Sequence, residues 1–266
     1  MFLLRALSAL IGIPLVLGIV YLGGSWYAIF VAIVVNLGLY EYNGILKKQE
    51  FDAPAIVNYL GATLLLAVIF FDQLNLVYPL VMLAFFLLFV SVLFNMDKIS
   101  AADSALSLWG MIYLGGLGGY LLMLRMLPDG AIYTYILLVG VWVHDTAAYL
   151  VGVKWGMRKF APQVSPKKSV EGSLAGIGST VVIFFSISIL LPGLVSLSPL
   201  QAAILALGIA VFAQLGDLLE SALKRQMKVK DASGIIPGHG GVLDRFDSLL
   251  LAAPFVYYFF LLMNLV

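Results

Sequence analysis

The chain is 266 residues long, 62% hydrophobic and only 11% charged, with a formal net charge of +1 and no cysteine. Soluble globular domains are roughly 45–50% apolar and about 25% charged, so this composition excludes that class. The lack of cysteine excludes disulfide and thiolate chemistry without identifying a compartment. Runs of about 20 apolar residues, long enough to cross a bilayer core as helices, recur from end to end. A chain in lipid must satisfy its own backbone hydrogen bonds, so the pattern predicts an all-α polytopic membrane protein.

Taken in order, the apolar segments are 6–23, 25–46, 54–71, 75–94, 103–126, 130–153, 173–195, 199–223 and 244–266, which predicts about nine transmembrane helices. The first follows Arg5, contains Pro14 and lacks a small-residue cleavage site, so it reads as a retained helix rather than a signal peptide. Breakers separate the segments: Gly23-Gly24, Pro54, Asp72-Gln73, the polar run 95–103, Pro128-Asp129-Gly130 and Pro192-Gly193. Trp26, Tyr27, Tyr78, Tyr133 and Tyr135 sit near segment ends, as interfacial aromatic residues do. The glycine run 115–119 lies inside an apolar segment with no preceding strand, and suits close helix packing. Residues 1–126 read as a five-helix membrane region. Residues 127–266 read as a four-helix region that carries the chemistry, with polar loops at 154–172 and 224–243.

Lysine and arginine orient the chain. With the N-terminus in the cytosol and nine crossings, 14 of the 15 basic residues fall on the cytosolic side and only Arg125 on the other. That asymmetry is what the positive-inside rule requires. Both polar loops then face the cytosol, joined through two helices and a short turn near Pro192, and together with Arg245 just after the second they carry ten basic residues.

Glu41, Asp145, Asp217 and Glu220 lie in apolar segments, each in the cytosolic half of its helix. An ionised carboxylate in hydrocarbon costs at least ~2.5 kcal/mol on insertion scales, so each needs a partner or a purpose. Asp217, Glu220 and Ser221 share one helix face by their spacing, as do Asp244, Asp247 and Ser248 on the last helix. The glycine-rich turn between these helices would fold them side by side with the acidic faces opposed. Clustered carboxylates repel unless a cation joins them, and an all-oxygen set favours a hard cation such as Mg²⁺, with room for a second cation. Asp244 and Asp247 also stand at a helix N-terminus, where capping alone would account for one of them.

Lys167-Lys168 and the group Lys224, Arg225, Lys228 and Lys230 suit either topology-setting contacts with anionic lipid or binding of a Mg²⁺-nucleotide. Backbone N–H groups at Gly240 and Gly241 could cradle a phosphate, because glycine permits the close approach and positive φ of an anion nest. His144 suits a satisfied polar contact within its helix; His239, in the glycine loop, suits phosphate contact or proton transfer. No Walker A loop, zinc motif or Ser-His-Asp order is present. The residues therefore indicate Mg²⁺-assisted chemistry on a phosphate-rich cytosolic substrate at the lipid boundary.

The run Ser221, Leu223, Lys224, Arg225, Lys230, Asp231, Ser233, Pro237, His239, Gly240, Gly241, Asp244, Arg245 and Asp247 resembles the signature of the phosphatidate cytidylyltransferases, or CDP-diacylglycerol synthases. Residues 145–149 (DTAAY) and 165–172 (SPKKSVEG) are similar to two further family segments, although Ser169 and Val170 stand where the family commonly shows threonine and an aromatic residue. The specific likeness covers roughly residues 144–247; the first five helices are similar in hydropathy alone.

The resemblance implies transfer of a cytidylyl group from CTP to phosphatidic acid with Mg²⁺, yielding CDP-diacylglycerol and pyrophosphate, in a dimer within the membrane. The lipid phosphate would attack the α-phosphorus of CTP. Asp217, Asp244 and Asp247 would hold metal, and Asp231 and His239 would complete the catalytic set. Lys167, Lys168, Lys224, Arg225 and Lys230 would bind the triphosphate or the lipid phosphate, with Asp145, Glu171, Ser221, Gly240, Gly241 and Arg245 as further substrate-binding positions. The setting implied is a bacterial inner membrane with the site facing the cytosol, and no nucleic-acid partner. One alternative is a CTP-dependent polyprenol or phytol kinase, which would attack the γ-phosphorus. Another is an ion-coupled transporter, disfavoured because the carboxylates gather near one surface rather than at the midplane.

Overall fold

The computed structural model describes residues 2–193, 197–229, 232–235 and 240–263. Nine helices lie among them: α1 Phe2–Leu22, α2 Gly24–Lys47, α3 Ala55–Phe70, α4 Val77–Phe94, α5 Ala101–Met126, α6 Gly130–Trp155, α7 Val170–Leu190, α8 Pro199–Gln226 and α9 Leu243–Leu262. Each falls on one of the apolar segments, and the chain is an all-α integral membrane protein. Seven are long and apolar enough to cross a membrane, α4 with its leading turn; α3 and the apolar part of α1, Leu10–Leu22, are shorter.

Three boundaries differ from the sequence reading. Helix α7 begins at Val170 rather than 173 because Ser169 caps it, its Oγ accepting from the Gly172 N–H at 3.1 Å. Helix α8 runs a turn further than 223, so Lys224 and Arg225 belong to its last turn rather than to a loop. The loop at 154–172 contains a small antiparallel hairpin, β1 Lys159–Ala161 with β2 Ser165–Ser169, in which Lys159 pairs with Ser169 and Ala161 with Ser165.

The chain folds as two compact units. The first comprises Met1–Met126 and Gln226–Phe246. Within it α3 packs against α2, α4 and α5. Close approach depends on small residues: a Cβ at Gly115 would lie 2.6 Å from Cβ of Ala62. Gly115 belongs to a π-helical turn, Met111–Gly116, in the middle of α5. Several polar groups in this core are paired, as burial requires. Asn43 and Asn58 exchange amide hydrogen bonds of 3.2 and 2.9 Å between α2 and α3. The Tyr42 hydroxyl donates to the Leu106 carbonyl, and Ser107 to that of Pro54. Arg125 donates to the Val20 carbonyl at 2.8 Å and satisfies the C-terminal end of α1.

The second unit comprises Leu127–Arg225 and Asp247–Val266. Helices α6 and α7 form its most extensive contact. Glycine again sets the spacing: a Cβ at Gly172 would lie 2.6 Å from the Ala148 carbonyl, and one at Gly176 would lie 2.7 Å from Nδ1 of His144. Tyr133 of α6 stacks on Phe260 of α9 with ring centroids 3.7 Å apart. Gly115→Leu forces α3 from α5 and should cost about 1–3 kcal/mol by overpacking. Thermal unfolding in detergent checks this, with Gly178→Leu, where a Cβ meets nothing within 4 Å, expected to match wild type.

Candidate active site

In the second unit, α6, α7, α8 and the β-hairpin enclose a cavity of about 290 Å³. The tight α6–α7 contact buries His144. Strand β2 carries Lys167 and Lys168 to the cavity wall, where Asp145, Ser173, Gln214 and Asp217 also contribute. Nζ of Lys168 lies 2.5 Å from Oδ2 of Asp217, and both side chains are about a third exposed or less. Ser221, one turn along α8, donates to Oδ1 of the same carboxylate at 3.2 Å. Ser173 donates to Oε1 of Gln214 at 2.5 Å, which directs the Gln214 amide N–H groups elsewhere in the cavity.

Helix α9 reaches this unit through a glycine contact. A side chain at Gly216 would collide with the Asp247 carbonyl, so the backbones of α8 and α9 touch at the level of Asp217 and Asp247. Asp247 is buried, its Oδ1 accepts from the Ser248 N–H at 2.6 Å, and it feels the negative charges of Asp217 and Asp145 and the positive charge of Lys224. Buried Glu220 pairs with Lys224 at 2.5 Å, one turn apart on α8. Removing that lysine would take the paired cation from a buried carboxylate, which is strongly unfavourable.

The glycine-rich turn and the start of α9 belong to the first unit. Asp244 accepts from the Gly241 N–H at 2.8 Å and from the Ala232 N–H at 3.3 Å, so it holds the turn at both ends. Gly240 has φ of +84°, and a Cβ there would lie 2.9 Å from Oδ2 of Asp244; glycine is needed on both counts. Glu41 of α2, buried to 2% exposure, accepts from the Ser233 hydroxyl and from the N–H groups of Val242 and Leu243.

The sequence-derived residues thus separate by surroundings. Asp145, Lys167, Lys168 and Asp217 meet at one cavity, and Ser221 supports Asp217. Glu171 accepts from the N–H groups of Met157 and Arg158 and ties the end of α6 to the start of α7. Arg225 donates to the Val164 carbonyl and anchors the hairpin to α8. Lys230, Asp231 and His239 lie outside the described residues, and Arg245 is exposed on the first turn of α9. Gln214 and Ser173 went unnoticed in the sequence. Their only signal is polarity on otherwise apolar helices, with Gln214 three residues before Asp217.

Among the described residues no three acidic or histidine side chains form a ready metal site. Asp217 and Asp247, close to each other at the Gly216 contact, offer oxygen donors only. Two carboxylates suit a hard cation that keeps water and takes substrate oxygens for its remaining positions.

A model of the Cytidylyltransferase family matches residues 3–263, and the chain belongs to that family. It is 33% identical over 298 residues to a phosphatidate cytidylyltransferase of Synechocystis sp., covering 97% of this chain and 96% of the relative. A phosphatidate cytidylyltransferase of Bacillus subtilis is 31% identical over 266 residues, with 96% of each chain covered. One from Staphylococcus saprophyticus is also 31% identical, over 254 residues, covering 94% of this chain and 95% of the relative.

A partly exposed ion pair contributes only about 0–1 kcal/mol to stability. Lys168→Met should therefore leave the thermal midpoint in detergent within about 2 °C of wild type. A large drop would make the pair a structural element instead.

Proposed function

We propose that this protein is an enzyme that transfers the cytidylyl group of CTP to phosphatidic acid, giving CDP-diacylglycerol and pyrophosphate in phospholipid biosynthesis. The observation that carries this reading is the Lys168–Asp217 pair in a cavity walled by apolar helices, in a chain that matches phosphatidate cytidylyltransferases over nearly its whole length. Such a cavity offers cations and a carboxylate where a lipid headgroup and a water-soluble nucleotide can meet.

Lys167 and Lys168 bind phosphate oxygens, and Lys168 exchanges its contact with Asp217 for one with the substrate. Lys224, Arg225 and Lys230 supply further positive charge on the nucleotide side, and Gly240 and Arg245 complete the phosphate contacts; the Gly241 N–H, a phosphate cradle by sequence, is instead held by Asp244. The lipid phosphate oxygen bonds to the α-phosphorus of CTP as the bond to the β-phosphate oxygen breaks, and pyrophosphate departs with that electron pair. Asp217 and Asp247, with Asp244 one turn before it on α9, are the residues to hold Mg²⁺, which supplies charge neutralisation on the phosphates when bound. Asp231 and His239 stand beside these residues in sequence as candidates for orienting a lysine and moving a proton.

The excess of lysine and arginine in the loops supports a site facing the cytosol in a bacterial inner membrane, with nine crossings and a cytosolic N-terminus. A homodimer is the assembly that the family likeness suggests.

Purified protein in mixed micelles, given CTP, phosphatidic acid and Mg²⁺, should form CDP-diacylglycerol detectable by mass spectrometry. Asp217→Asn and Lys168→Met should each lower kcat/KM by about 100-fold or more while the protein stays folded. Absence of the lipid product from wild type, or near wild-type turnover in both variants, would contradict the reading.

A further inference from the structure

Glu41 lies far from the sequence motifs, on the second helix, yet it reaches the backbone that carries Asp244. Its Oε1 accepts from the Ser233 hydroxyl at 2.5 Å and from the Val242 N–H at 2.8 Å. Its Oε2 accepts from the Leu243 N–H at 2.7 Å. Among the described residues no lysine or arginine pairs with it. The carboxylate is compensated by the hydroxyl and by the first N–H groups of α9, the positive end of that helix. The backbone presses closely on it: a Cβ at Gly241 would lie 2.6 Å from Oε2.

Asp244 works on the same backbone from the other side, taking the N–H of Gly241. Three consecutive N–H groups, of Gly241, Val242 and Leu243, are thus taken by two carboxylates. Asp244 is aimed by the backbone that it binds, so its direction depends on what holds that backbone. Glu41 holds it.

We propose that Glu41 is a positioning residue for the reaction: it fixes the backbone at 240–243 and thereby the direction in which Asp244 and the first turn of α9 present themselves. The proposal rests on the cytidylyl-transfer reading. A buried anchor with no part in the reaction would make a different demand, since any loss of a buried polar contact of α2 would then have the same effect. The carboxylate chemistry separates the two cases. Three donors converge on two acceptor oxygens, so Glu41→Gln sets an amide N–H₂ against a backbone N–H while keeping the size of the side chain.

The test uses full-length protein in detergent with three variants: Glu41→Gln, Ser233→Ala and Asn58→Ala. The last orphans Asn43 in the same α2–α3 pair and serves as the control for loss of a buried polar contact. Hydrogen exchange at the Val242 and Leu243 amides, kcat, KM and the thermal midpoint are read for each. Glu41→Gln should exchange those two amides at least about tenfold faster and lower kcat at least about tenfold. Ser233→Ala should move both in the same direction by about two- to threefold. Asn58→Ala should lower the midpoint and leave exchange at both amides and kcat as in wild type.

Unchanged exchange in Glu41→Gln, or faster exchange with kcat within about twofold of wild type, overturns the proposal. An equal fall of kcat in Asn58→Ala overturns it as well. Should Glu41→Gln fail to fold, Ser233→Ala decides: faster exchange at Val242 with unchanged kcat refutes the positioning role. Wild-type protein that forms no CDP-diacylglycerol refutes the reaction, whereas the exchange measurement reads the Glu41 contact independently of it.

Discussion

A carboxylate in a helix that crosses hydrocarbon has to find its compensation inside the protein, and that requirement organises this structure. Glu220 takes Lys224 from its own helix. Asp103 takes the Ser100 hydroxyl and the N–H groups of Ser100 and Asp52. Glu41 takes the opening N–H groups of α9. Asp217 takes Lys168 from strand β2. These solutions differ in what they permit. Glu41 and Glu220 are compensated in buried surroundings. Asp217 and Lys168 meet at a cavity with about a third of the Asp217 side chain exposed, so this pair can exchange partners at smaller cost.

Compensation of this kind depends on how closely the helices approach, and small residues set that distance. At Gly216 the α8 backbone meets that of α9, which puts Asp217 and Asp247 at one level. At Gly172 and Gly176 the α7 backbone meets α6 beside the cavity. In lipid, where apolar side chains gain little by leaving their surroundings, such contacts through small residues are what hold helices together. The same glycines that stabilise the bundle therefore place its charges.

The sequence makes the helices legible because an apolar run of bilayer length has few other uses, and all nine helices fall on such runs. Ends were harder to read. Ser169 starts α7 early through a cap that a hydropathy profile does not register, and Lys224 extends α8 because its partner Glu220 lies one turn back. The hairpin in 159–169 went unseen, since three- and five-residue strands rich in lysine carry no alternating pattern. The members of the candidate site were legible as polar residues in apolar surroundings, but their pairings were not. That Lys168 meets Asp217, or that Glu41 meets Val242 some 201 residues later, depends on tertiary approach that no local spacing encodes.

The central claim is that the phosphate of phosphatidic acid attacks the α-phosphorus of CTP, and isotopic labelling tests it most directly. Purified protein is given phosphatidic acid and CTP labelled at either the α- or the γ-phosphate. The account predicts α-label in the lipid fraction and γ-label in pyrophosphate. Gamma-label in the lipid with none from the α-position would contradict it and make the enzyme a lipid kinase.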